Sequence, residues 1–239
     1  MADIAVIFAG GTGKRMNTRT KPKQFLELHN KPILVYTLEV FNNHPDIDGI
    51  ILVILEDWIP YCQELVDRFR LTKVKAIVPG GDSALASQRN GLRKAAEIYP
   101  DDSVVLIHDG VRPFIDEETI TMNIRSVRTK GATITVTPAI ETIAVKNDYG
   151  EVGSIIERAK VDLVRAPQSF VLHDILDAHQ RAENDGMDFI DSASMMQYYG
   201  QTLYTVNGAT ENIKITTPND FYTFRALVDA RENSQIFGI

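Results

Sequence analysis

Cysteine is nearly missing from this sequence: Cys62 is the only one in 239 residues. No intrachain disulfide can form, and the usage fits a reducing compartment. The lone thiol reads as a small buried side chain. Basic charge is also short, with 25 Lys and Arg against 32 Asp and Glu and a formal net charge of −7. That deficit excludes a general nucleic-acid or anionic-membrane binder, while leaving room for a local basic pocket. No apolar run approaches membrane-spanning length. Asp3 and a run of glycines interrupt the N-terminal apolar stretch, so no secretory leader is expected and the cytoplasm is the expected location. Repeats, low-complexity tracts and linkers are missing too, so residues 1–239 are expected to form a single domain. The remaining composition, 44% apolar and 24% charged, is that of an ordinary globular protein.

The most informative stretch is Ala9-Gly10-Gly11-Thr12-Gly13-Lys14-Arg15-Met16, completed by Pro22-Lys23-Gln24. It follows Ile4-Ala5-Val6-Ile7-Phe8, an apolar run that reads as a buried strand. Closely spaced glycines let backbone N–H groups converge on an anion, and Arg15 and Lys23 add fixed positive charge nearby. A nucleoside triphosphate needs such a cradle. A P-loop is disfavoured, because Arg15 stands where the magnesium-binding Ser or Thr belongs. A dinucleotide fingerprint is disfavoured by Met16 in place of its last glycine, and by the lack of an acid in residues 30–36. An ordinary strand-to-helix turn with two surface cations stays as the plain alternative.

Strands and helices then alternate. Helices are expected over 32–41, 58–69 and 87–98, and buried strands over 49–55, 75–79 and 103–107. This rhythm implies a doubly wound, mostly parallel α/β sheet, with ligands beyond the carboxyl ends of its strands. The glycine loop, Gly80-Gly81-Asp82 and His108-Asp109 all fall there. An Asp leaving a buried strand suits Mg²⁺, and Arg112 suits a substrate oxygen or a carboxylate. The alternative role is a helix cap, for which Asp116 and Asp109 both qualify. His108 reads as a structural hydrogen-bonding residue, because no nucleophile stands near it.

Further on, 132–138 is an expected strand, and 141–145 with 152–157 reads as a two-stranded ribbon ending at Arg158. A lone ribbon is marginal by itself, so a partner subunit is expected to cover it. Residues 165–170 read as a short extended segment. Helices follow over 171–183, 192–199 and 221–231, with a strand over 203–206. The Met and Tyr residues of 195–199 read as core.

These motifs, with Pro167-Gln168, Ser87 and Asn212-Ile213-Lys214-Ile215-Thr216, resemble the cytidylyltransferase family of the methylerythritol-phosphate and ribitol-phosphate enzymes over nearly the whole chain. The resemblance implies a Rossmann-like nucleotidyltransferase with a protruding β-hairpin arm, 139–159, acting as a homodimer. It implies Arg15, Lys23 and Lys214 as catalytic cations. CTP would lie against Ala9, Gly10, Gly11, Thr12, Gly13, Gly80, Asp82 and Ser87. The acceptor would meet Asp109, Arg112 and, across the dimer, Thr142 and Arg158; Mg²⁺ would be held by Asp109 and Glu211. The chain departs from the family at Glu211, Ala166, Ala84 and in its tail from Asn233 onward. Val111 is the choice of the ribitol-phosphate enzymes. The expected reaction is transfer of CMP to D-ribitol 5-phosphate, with 2-C-methyl-D-erythritol 4-phosphate as the alternative acceptor. A related nucleotidyltransferase using another base or sugar phosphate, and a non-catalytic nucleotide-binding protein, are the other classes.

Overall fold

The computed structural model describes residues 1–11 and 21–237, with side chains through residue 233. The chain opens with β1 (Asp3–Phe8), passes the glycine loop, and forms a small hairpin of β2 (Glu27–Leu28) and β3 (Lys31–Pro32). Then come α1 (Ile33–Asn43), β4 (Gly49–Ile54), α2 (Ile59–Arg68), β5 (Val74–Pro79), α3 (Ala84–Ile98) and β6 (Val104–Asp109). After these follow α4 (Glu117–Lys130), β7 (Thr133–Pro138) and the arm, β8 (Ile143–Lys146) with β9 (Val152–Ile156). The chain returns through β10 (Asp162–Val171), α5 (Leu172–Asp185), α6 (Ser192–Tyr198), β11 (Tyr204–Asn207) and α7 (Pro218–Phe237).

The central sheet has the order β11-β7-β10-β6-β1-β4-β5. β1 pairs in parallel with β4 and β6, and β4 with β5, as their apolar runs require. Along these strands alternate residues feed two cores. Ala5, Ile7, Ile50 and Leu52 face α1, α2 and α4, while Ile4, Val6, Ile51 and Val53 face α3, α5 and α6. Cys62 is buried in the first core. Each fully buried aliphatic side chain contributes about 1.5–3 kcal/mol of burial energy. Among the described residues no helix is long and apolar enough to cross a membrane.

Several elements differ from their sequence expectation. The segment read as short and extended is part of β10, ten residues long and antiparallel, inserted between β6 and β7. Proline argues against a central strand because it lacks an N–H. Here Pro167 sits inside a register shift between Val164 and Gln168, where the ladder to β7 is interrupted. α3 begins three residues earlier than expected, because Ser83 caps it by accepting from the Ala86 N–H at 3.0 Å. Asp116, not Asp109, caps α4, accepting from the Thr119 N–H at 2.7 Å. In α6, Met195 and Met196 are core, but Tyr198 is exposed. α7 extends past the expected helix at both ends, to Pro218 and Phe237.

Candidate active site

β1 and β6 end side by side, with Phe8 opposite Asp109. This placement puts the first glycines and the Asp109 carboxylate on one wall of a cavity of about 500 Å³. Ala9 is fixed from both sides: its N–H donates to Val53 O at 2.8 Å, and its carbonyl accepts from Gln24 Nε2 at 2.6 Å. Across the cavity lie Gly81, Asp82 and Ser87. Ser87 ties that segment together, its Oγ accepting from the Gly81 N–H at 3.0 Å and donating to Ser83 O at 2.9 Å. Gly81 is required by space, because a Cβ there would come within 2.6 Å of Ala86 Cβ. Gly80 packs behind it, donating its N–H to Ile54 O at 2.7 Å.

Asp109 is the electrostatic centre. Its Oδ2 accepts from Arg112 Nε at 2.7 Å, and its Oδ1 faces Lys214 Nζ at 2.5 Å. Burial by itself would raise its pKa. Arg112 and Lys214 together overcome that and bring it down to about 2, so the carboxylate is ionised at any physiological pH. Arg112 also donates through Nη1 to Asn212 O at 2.9 Å, and Asn212 Nδ2 donates to Ala166 O at 2.8 Å. The Ile215 N–H donates to Val111 O at 2.9 Å. The 212–215 segment is thereby pinned along the loop after β6. It positions both lysines, since Lys23 Nζ donates to Ile215 O at 3.0 Å. His108 is fully buried behind this loop; burial holds its pKa down to about 4, and its Nε2 lies 3.2 Å from Arg112 O. A neutral ring that supports the loop matches the structural role expected of it.

A second cavity, about 180 Å³, shares Phe8, Ala84, Asp109 and Lys214 with the first. Beyond them it is lined by Arg112, Arg165, Gln168 and Asp191. Asp191 is occupied, its Oδ2 accepting from Gln168 Nε2 at 2.7 Å while its Oδ1 caps α6. Two compartments therefore meet at a single carboxylate–lysine pair.

The structure thus brings together Ala9, Gly10, Gly11, Lys23, Asp82, Ser87, Asp109 and Lys214 around the larger cavity, with Gly80 and Arg112 beside them. Thr12, Gly13 and Arg15 lie outside the described residues. Thr142 and Arg158 are exposed on the arm and line neither cavity; Arg158 Nη1 donates to Ile140 O at 2.9 Å. Glu211 does not join Asp109. It is exposed, lines neither cavity, and its Oε2 accepts from Thr210 Oγ1 at 3.2 Å, because the adjacent Asn212 turns inward to Ala166. This placement lends no support to the metal role expected of it. Asp109 offers a hard, ionised oxygen at the cavity wall, a donor that suits Mg²⁺ completed by phosphate and water oxygens. Among the described residues the one cluster of three possible ligands is His29, Asp229 and Glu232, which includes neither acid. The sequence offers no local signal for Arg165 at the smaller cavity, and Asn212 is visible there only as part of the 212–216 motif. Arg165 lies on β10 and Asn212 bonds to it, and for that inserted strand the local pattern carries no signal.

A family model described as 2-C-methyl-D-erythritol 4-phosphate cytidylyltransferase (IspD) matches residues 4–230. The chain belongs to this family. Within it, a protein of Streptococcus agalactiae named ribitol-5-phosphate cytidylyltransferase is 50% identical over 240 residues, covering all of both chains. A Clostridium botulinum protein named 2-C-methyl-D-erythritol 4-phosphate cytidylyltransferase is 40% identical over 215 residues, 90% of this chain and 92% of its own. The crystal structure of the 4-diphosphocytidyl-2C-methyl-D-erythritol synthase of Anaerococcus prevotii superposes with a TM-score of 0.82 at 27% identity. That match covers 95% of this chain and 96% of the other. The IspD-family fold, Rossmann-like with a mostly parallel sheet, is the architecture expected from the alternating apolar runs.

Proposed function

We propose that the chain transfers CMP from CTP to D-ribitol 5-phosphate, forming CDP-ribitol and pyrophosphate. The observation that carries this reading is the Asp109–Lys214 pair in the wall common to two cavities, one of them lined by the glycine loop. The full-length 50% identity to a protein named for ribitol 5-phosphate, against 40% to one named for the methylerythritol substrate, supports the choice of acceptor.

In this reading the triphosphate rests on the backbone of Ala9, Gly10, Gly11, Thr12 and Gly13, and Gly80, Asp82 and Ser87 receive cytosine and ribose. An oxygen of the acceptor phosphate attacks the α-phosphorus in line. The new P–O bond forms as the bond to the β-phosphate oxygen breaks, and pyrophosphate leaves with that electron pair. No covalent enzyme intermediate is needed. Catalysis is positioning and charge neutralisation by Arg15, Lys23 and Lys214. Asp109 would hold Mg²⁺ with the nucleotide phosphates, and the ion would supply further positive charge to their oxygens. Asp109 and Arg112 also meet the acceptor.

The arm supports a homodimer. Its Ile140, Val152 and Ile155 are each at least 66% exposed, and a free two-stranded ribbon is marginal in water. Thr142 and Arg158 then serve the site of the second copy by holding the acceptor phosphate. We place this activity in the cytoplasm. The test is incubation of the purified protein with ribitol 5-phosphate, Mg²⁺ and each of CTP, UTP, ATP and GTP, read by mass spectrometry. CDP-ribitol from CTP is the expected product. A product with another nucleotide in preference to CTP, or none with any, would overturn the reading.

A further inference from the structure

The smaller cavity contains a cation with no assigned task. Arg165 lies on β10 inside the register shift, half-buried, and its Nε donates to Thr137 Oγ1 of β7 at 3.2 Å. Among the described residues no carboxylate pairs with it. Burial first, and then the like charge of Arg112, push its pKa down from the ordinary arginine value. Both acids of the cavity are already engaged: Asp109 by Arg112 and Lys214, Asp191 by Gln168 and the start of α6. A guanidinium partly withdrawn from water, beside another cation and without a counter-ion, is unfavourable unless a ligand brings negative charge. Arginine is also the side chain whose planar fork matches a phosphate with two parallel hydrogen bonds.

We propose that Arg165 binds the phosphate of the incoming alditol phosphate, from the same chain that supplies Asp109 and Lys214. Among the described residues of the glycine loop, Ala9, Gly10 and Gly11 line the larger cavity and not this one, which separates the task from the triphosphate contacts assigned to them. The neighbouring Ala166 has no hydroxyl to offer a substrate, so the charge of Arg165 takes over the polar contact at this wall. The proposal rests on the transfer reaction proposed above and adds a determinant of acceptor affinity to it.

Steady-state kinetics with Arg165→Gln and Arg165→Lys test it. Losing one charge-assisted contact should raise the acceptor KM of Arg165→Gln by roughly 10- to 100-fold and leave the CTP KM nearly unchanged. Arg165→Lys, which keeps the charge and loses the fork, should recover part of the loss. Should Arg165→Gln fail to fold, Thr137→Val releases the guanidinium without removing it and should still raise the acceptor KM several-fold. An unchanged acceptor KM, or equal rises for CTP and acceptor, would overturn the proposal. If the wild-type protein turns over neither ribitol 5-phosphate nor methylerythritol phosphate, the transfer reading itself falls, and this inference with it. If the wild type turns over either one, the variants are compared on that acceptor, and the result bears on Arg165 alone.

Discussion

At the scale of single residues, the site is a small ionic lattice around Asp109. Its carboxylate titrates near 2 against about 3.8 unfolded, so its contribution to stability is complete above pH 4 and is lost only in strong acid. Asp109→Asn would leave Arg112 and Lys214 facing each other without a counter-ion. We expect a stability loss of about 3 kcal/mol, measured by denaturant unfolding, and an unaltered midpoint would contradict the lattice. Lys214→Ala and Lys23→Ala remove donors that line the larger cavity. Each should lower kcat by about 10²- to 10³-fold. Lys214→Ala should lower Tm less than Asp109→Asn does, because that side chain is 41% exposed and Arg112 stays paired with Asp109. Near-wild-type turnover in either would remove the lysine from catalysis. Asp109, Lys23, Lys214 and the glycines were legible in the sequence because their chemistry sits in short contiguous motifs. That Glu211 stands apart from Asp109 was not legible, because sequence position does not say which side of a pinned segment a side chain faces. Asn212 takes the inner side and leaves Glu211 to solvent.

At the scale of elements, α3 carries Ser87 to the cavity and packs directly on the sheet through Gly91. A Cβ at Gly91 would lie 2.6 Å from both Val6 Cγ1 and Val53 Cγ2, two side chains with no room to retreat. Gly91→Ala should therefore cost about 1–3 kcal/mol and, by displacing Ser87, weaken CTP binding. Thermal melting and CTP titration check both, and an unshifted melt would show slack that the packing does not contain. The parallel half of the fold was legible because β4 and β6 are uninterrupted apolar runs. β10 was not, because Pro167 forbids a regular central strand and only the register shift makes room for it. α4 was anticipated only as the helix after a capping Asp. Its interior holds Thr119, Asn123 and Ser126, poor helix formers that earn their place by packing. Asn123 donates to Thr135 Oγ1 and accepts from Ser169 Oγ, both at 2.9 Å. At the arm, replacing residues 140–157 by a short turn should leave a folded monomer without transferase activity. An active dimer in light scattering would contradict the role proposed for the ribbon.

At the scale of the whole molecule, three buried groups set the response to acid. Burial lowers His108 and His179 to about 4, so the unfolded chain takes up protons at both as pH falls below about 6.5. Burial also raises Asp3 to about 6, despite Arg128 beside it, and the folded chain then takes up a proton there between 6 and 3.8. The histidines favour the native state at higher pH, and Asp3 opposes one of them. Stability should fall from pH 6 to pH 4.5 with a slope near one proton, about 1.4 kcal/mol per pH unit. His179→Leu should flatten that slope in denaturant titrations, and an unchanged slope would remove His179 from the account.

The central claim concerns the acceptor, and competition between acceptors tests it most directly. Purified protein, CTP and Mg²⁺ are supplied with equal concentrations of ribitol 5-phosphate and 2-C-methyl-D-erythritol 4-phosphate, and the two CDP products are quantified together. The account predicts CDP-ribitol as the dominant product. Dominance of the methylerythritol product would contradict it and return the chain to the reaction for which its family model is named.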